Sequence, residues 1–144
     1  MNDTKVTNTV ATLRAMGDST ADVWQARELT RVFTDTLSPT PAAAHVTDTL
    51  VLVVSELVTN ALRHGGGRYT LELSADEDAM RVAVSDLDPA HPREVTPDLN
   101  GGSGGFGWHM VRRLTDEVTI TPSPRPGKTI TAAYVRRTAG PSMD

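Results

Sequence analysis

The chain contains no cysteine. Disulfide staples, thiolate nucleophiles and cysteine-based zinc sites are excluded with it, and a cysteine-free chain suits a reducing compartment. Aromatic residues are scarce: two Trp, two Tyr and two Phe. The core must therefore be made of Val, Leu and Ala. Long apolar runs are missing as well. None approaches the ~18 residues of a membrane span, and Met1–Val10 is polar, without the basic start and apolar stretch of a signal peptide. Dense basic clusters are absent too. The formal net charge is −4, and the pairs Arg112–Arg113 and Arg136–Arg137 read as solvated surface rather than a nucleic-acid footprint. The expectation is a cytoplasmic protein with no direct nucleic-acid or membrane partner.

What is present is patterned. At 144 residues the chain fits one domain, long enough to bury about 70% of its unfolded surface without a disulfide or metal. Alternation from Thr9 to Met16 predicts a strand. Ser19 followed by Asp22 resembles a capping box, opening a helix that runs to about Leu37. Pro39 and Pro41 stop it. A second helix is expected from about Ala42 to His64, ended by Gly65-Gly66-Gly67. The segments Tyr69–Leu73 and Met80–Val84 alternate around Asp76-Glu77-Asp78, as an antiparallel hairpin does. Asp86 to Gly107 has no periodicity and is rich in Pro and Gly; loops beyond about 12–15 residues are usually lids or binding loops. A third helix, about Trp108 to Leu114, and a strand pair, Val118–Thr121 and Thr129–Val135, complete the chain. The domain is expected to span 9–137, with flexible ends at 1–8 and 138–144.

The second helix carries the best chemistry. Val46, Leu50, Val53, Leu57 and Ala61 form one apolar stripe, and Val54, Val58 and Leu62 a second, as in a buried helix. Glu56, Asn60 and His64 nevertheless recur every four residues and share a face. Such a stripe either faces water or places a carboxylate and an amide oxygen one turn apart, a donor pair suited to a hard cation beside a phosphate. Downstream, Asn100–Gly107 reads NGGSGGFG. A glycine-rich loop feeding a helix N-terminus suits an anion, although a flexible linker has the same composition. No Gly-Lys-Ser/Thr follows, so it is not a Walker A loop, and no strand immediately precedes it, so it is not a Rossmann fingerprint.

Order and spacing together resemble the GHKL (histidine-kinase-like) ATPase superfamily. Ser55–Gly67 (SELVTNALRHGGG) looks like its N-box, Asp86-Leu87-Asp88 like its Asp-x-Gly box, Gly105-Phe106-Gly107 like its second glycine box, and Gly127-Lys128-Thr129 like its terminal Gly-Thr box. Within the superfamily, VSELVTNALRHG and GGFGWHMVRRLTDEVTI look most like the bacterial anti-sigma-factor serine/threonine kinases. The resemblance implies an α+β two-layer sandwich: a mixed, mostly antiparallel sheet with about three helices on one face. It implies ATP and Mg²⁺ as cofactors. Glu56 would be the general base, Asn60 the Mg²⁺ ligand, and Asp86 the acceptor for the adenine amino group, supported by Thr129. Gly105, Phe106 and Gly107 would close over the phosphates, with His64 near the pocket. The implied partners are a small anti-sigma-factor antagonist and a sigma factor, and the family commonly forms homodimers.

Two departures stand out. Asp88 occupies the place of the family's first glycine, and Ser103–Phe106 contains no arginine, leaving Arg93 as the basic residue of the loop. Phosphoryl transfer relies on positioned positive charge. A non-catalytic ATP-binding sequestration module is therefore the alternative to a kinase, followed by a detached histidine-kinase catalytic domain.

Overall fold

Two periodicities run through the sequence, and each finds its own layer. The computed structural model describes residues 11–38, 40–90, 106–123 and 126–136. The elements are β1 (Ala11–Gly17), α1 (Ala21–Asp35), α2 (Ala44–His64), β2 (Tyr69–Ala75), β3 (Ala79–Asp86), α3 (Phe106–Leu114), β4 (Glu117–Pro122) and β5 (Lys128–Val135). The strands form one sheet in the order β1-β2-β3-β5-β4. All four ladders are antiparallel, so the mixed sheet expected from the sequence is a fully antiparallel one among the described residues. The reason is topological. The chain leaves β3, passes through α3, lays β4 at the edge and returns as β5 between β4 and β3. Residues 1–8 and 138–144, expected to be flexible, lie outside the described residues.

Alternation divides the sheet into two faces. Leu71, Leu73, Val82, Val84, Ile130 and Ala132 are buried against the helices. Their neighbours Glu72, Ala83, Ser85, Thr129 and Thr131 are only half-buried and line the other face, where Arg14 bridges to Glu72 at 2.8 Å across the β1–β2 ladder. One covered face and one polar face is the ordinary solution for an antiparallel sheet.

The helical layer is centred on α2. Leu50, Val51, Val53, Val54, Leu57, Val58 and Ala61 are buried, and each fully buried Val or Leu contributes roughly 1.5–3 kcal/mol. The α1–α2 junction is polar but satisfied: Thr47 donates to Thr34 at 2.9 Å, and Thr30 donates to the Ala26 carbonyl at 2.8 Å. At the start of α1 the carboxylate of Asp22 accepts the N–H groups of Asp18 and Ser19 at 3.0 and 3.1 Å. That is the reach-back half of the capping box. Ser19 completes the contact by donating its hydroxyl at 3.3 Å rather than accepting.

The β2–β3 hairpin is held by Asp76. Its carboxylate accepts N–H bonds from Asp78 at 2.7 Å and Ala79 at 2.9 Å, and Arg81 at 2.8 Å. Arg136 bonds the Asp76 carbonyl and the Ser38 carbonyl at 2.9 Å each, tying the hairpin to the end of the α1 segment. Burial works to raise the Asp76 pKa, but the bonds from Asp78, Arg81 and Ala79 outweigh it and leave the group below its ordinary value. A depressed carboxylate stabilises the fold above its unfolded pKa and loses that contribution as pH falls through its folded value. Asp76→Asn should therefore cost about 1.5–3 kcal/mol at neutral pH. In urea unfolding, the gap from wild type should narrow as pH drops below about 4. A gap constant from pH 7 to pH 2 would refute this assignment.

Candidate functional site

The polar stripe of α2 is graded along its length. Glu56 and Asn60 are half-buried, while His64 is exposed at the C-terminal end. Each end of the stripe meets a different element. At the Glu56 end sits α3: a Cβ on Gly107 would overlap the Glu56 carboxylate. The glycine thus lets the first turn of α3 approach that side chain, where the free N–H groups and dipole of a helix favour negative charge. At the other end sits the close of β3. A Cβ on Gly65 would lie 2.6 Å from Asp86 Oδ2 and 2.7 Å from its Cβ, and Leu87 donates its N–H to the Gly65 carbonyl at 2.8 Å. The left-handed residues that end α2 are Gly66 and Gly67, at φ 94° and 84°; Gly65 is required for close approach rather than for its dihedrals. From Glu56 to Gly65 the helix rises ~13 Å, about the length of a nucleoside triphosphate chain.

Asp86 continues the phase of Val82 and Val84, so its carboxylate faces the helical layer with 6% of the side chain exposed. Its cross-strand partner is Lys128. The two form an ion pair at 2.9 Å, with Lys128 7% exposed. The ammonium also donates to the Asp88 carbonyl at 2.8 Å, and Asp86 Oδ1 accepts the Asp88 N–H at 3.0 Å. Asp88, the departure at the first glycine position, turns its own carboxylate to the Ala90 N–H at 2.9 Å. Two successive Asx turns thus shape 86–90, and the Asp88 charge is tied into the second of them.

Thr129 is not brought to this cluster. One residue beyond Lys128 on an alternating strand, it stands on the polar face, where its hydroxyl meets Ser85 at 2.7 Å and Ser123 at 3.4 Å. Lys128, rather than Thr129, is the cross-strand partner of Asp86. The clue lay in the sequence, since period 2 puts 128 and 129 on opposite faces, but choosing between them needs the β3–β5 register. Gly105, Arg93 and the loop serine Ser103 lie outside the described residues, and Phe106 is placed only as the first residue of α3.

A cavity of about 770 Å³ opens at the end of the sheet, with Gly17, Arg68, Tyr69, Ser85 and Pro126 in its wall. It touches the α2 arrangement at Asp86 and Leu87, and none of Glu56, Asn60 or His64 lines it. The polar stripe of α2 therefore lies outside this cavity, which Asp86 and Leu87 border. No group of three or more His, Cys, Asp or Glu residues is arranged to hold a metal among the described residues. A lone amide oxygen at Asn60 beside the Glu56 carboxylate suits a Mg²⁺ that keeps most of its coordination for phosphates and water.

The profile of the histidine kinase-like ATPase domain matches residues 19–134. Among curated proteins, the anti-sigma F factor of Bacillus velezensis is 29% identical over 90 residues, a match covering 54% of this chain and 62% of that protein. Less than two thirds of that relative is therefore spanned. Among solved structures, the RsbU and RsbW domains of a Mycobacterium tuberculosis protein match with a TM-score of 0.64 at 19% identity, over 90% of this chain and 34% of that one. At that identity the likeness speaks for the fold.

The two close-approach glycines should respond differently. At Gly107 the obstacle is the far end of a flexible side chain, and alanine favours a helix by about 1 kcal/mol over glycine. Gly107→Ala should leave urea-unfolding stability within about 1 kcal/mol of wild type while displacing Glu56. At Gly65 the obstacle includes the Asp86 Cβ, which cannot swing away. Gly65→Ala should cost about 1–3 kcal/mol; a neutral Gly65→Ala would mean that the approach of β3 to α2 is looser than described.

Proposed function

Because this chain belongs to the histidine kinase-like ATPase domain family, we propose that it binds Mg-ATP along α2 and transfers the γ-phosphoryl group to a serine or threonine of a small anti-sigma-factor antagonist, with a sigma factor as its second partner. The observation that carries this reading is the two-ended site on one helix. Glu56 lies against the first turn of α3, and Asp86 with Lys128 lies against the far end of α2. Their separation of ~13 Å along the helix suits phosphates at one end and base at the other. The likeness to the anti-sigma F factor supports the choice of partners.

In this reading Asp86 accepts a hydrogen from the adenine amino group. Asn60 holds Mg²⁺, which when bound neutralises charge on the phosphates. Glu56 accepts the proton of the attacking hydroxyl as that oxygen bonds to the γ-phosphorus, and the bond to the β-phosphate oxygen breaks to release ADP. α3 begins beside Glu56, and the free N–H groups at a helix start favour phosphate oxygens. Residues 103–106 supply no arginine, which favours the second reading, a non-catalytic ATP-binding module that acts by sequestration. Incubation with labelled ATP and candidate antagonists separates the two: phosphoserine or phosphothreonine supports the kinase, no transfer supports sequestration, and phosphohistidine would point to a detached histidine-kinase catalytic domain.

Two substitutions test the roles. Glu56→Gln keeps shape and removes the base. Its effect belongs to the transition state, so ATP affinity should stay within a few-fold while transfer falls about 10²–10⁴-fold. A Glu56→Gln protein that unfolds would mark the carboxylate as structural. Asn60→Ala should weaken ATP binding in the presence of Mg²⁺ and much less in its absence; wild-type Mg-ATP affinity in that variant would sink the metal assignment.

A further inference from the structure

The reading of Asp86 as a base acceptor leaves its partner unexplained. Lys128 is paired with Asp86 in the β3–β5 ladder and faces the helical layer with it. Its ammonium carries three N–H donors. One goes to Asp86 Oδ2 at 2.9 Å and one to the Asp88 carbonyl at 2.8 Å; the third has no partner among the described residues. Asp86 in turn uses Oδ1 for the Asp88 N–H, and its oxygens retain acceptor capacity beyond these two bonds. An unused acceptor and an unused donor thus stand side by side at the end of α2, in an order fixed by two strands. Thr129, on the opposite face with Ser85, cannot supply that donor.

We propose that Lys128 is the second base-reading residue of the nucleotide site, donating to the ring nitrogen next to the amino group that Asp86 accepts. This deepens the assignment of Asp86 and rests on it. The ligand edge that fits is an exocyclic amino donor beside a ring acceptor, as in the 6-amino group and N1 of adenine. Guanine and hypoxanthine present the reverse order, a 6-oxo acceptor beside an N1–H donor. They would set the oxo group against the Asp86 carboxylate and the N–H against the Lys128 ammonium. The ion pair is also what keeps the two groups oriented. A buried ion pair contributes little net stability, whereas its fixed geometry distinguishes one purine edge from another.

The test compares ATP with 1-deaza-ATP, which keeps the 6-amino group and replaces N1 by C–H, binding each to the full chain with Mg²⁺ by calorimetry. Wild type should bind 1-deaza-ATP about 10- to 100-fold more weakly than ATP, the range of a hydrogen bond to a charged group. Lys128→Met should lower ATP affinity to that of 1-deaza-ATP, so the ratio falls to about 1. If Lys128 were only structural, both nucleotides would weaken together and the ratio would stay at its wild-type value, which overturns the proposal. Lys128→Met leaves Asp86 buried without its counter-ion. Should it fail to fold, the neutral pair Asp86→Asn with Lys128→Met removes that charge, and its ratio should also be about 1. A wild-type ratio near 1 overturns the Lys128 assignment with no variant needed, while leaving nucleotide binding intact. Wild type that binds neither nucleotide overturns the nucleotide reading itself.

Discussion

The arrangement of the site depends on one buried ion pair. Taking a carboxylate and an ammonium out of water costs several kcal/mol per ion before their attraction is counted, and both Asp86 and Lys128 are almost fully covered. The pair persists because each charge has further partners: the Asp88 N–H on the acid and the Asp88 carbonyl on the base. It thereby fastens the end of β3 to the start of β5 and shapes the turn that follows. Leu87, inside that turn, carries the constraint on to α2 through the Gly65 carbonyl. Three segments remote in sequence are fixed by four polar contacts, and the worth of the arrangement is positional.

α2 converts that constraint into a site. Its apolar sides are spent on the core, so the helix cannot rotate without exposing Val53, Val54, Leu57 or Val58. The remaining side, with Glu56 and Asn60, is held at a set angle to the sheet. Glycines then let other backbones approach it: Gly107 beside the Glu56 carboxylate, and Gly65 beside Asp86. A side chain at either place would collide with the group packed against it.

The opposite face of the sheet follows a different logic. Thr129, Ser85, Thr131 and Glu72 are short or polar groups that satisfy one another or meet water. Nothing in the Asp86–Lys128 cluster reaches them through the strands. Alternation thus puts these hydroxyls and the Asp86–Lys128 pair on opposite faces, although Ser85 and Asp86 both border the cavity at the end of the sheet.

The sequence by itself determined what is local. Alternation marked the hairpin between Tyr69 and Val84, the 3.6-residue rhythm marked α2 with its stripe of Glu56 and Asn60, and Asp22 marked the start of α1, because propensity, caps and turn chemistry act over a few residues. The order of the boxes was equally legible and led to the family. Tertiary structure decided which groups meet. Lys128 and Asp88 are 40 residues apart, and a shift of one residue in the β3–β5 register would have put Thr129 beside Asp86 and Lys128 on the polar face. No turn fixes that register, since α3 and β4 intervene; it is set by the burial of Ile130 and Ala132 beneath the helices. The role of Gly65 was hidden for the same reason. A helix-ending glycine is visible in one dimension, but the carboxylate that needs its missing side chain arrives only when the sheet packs against α2.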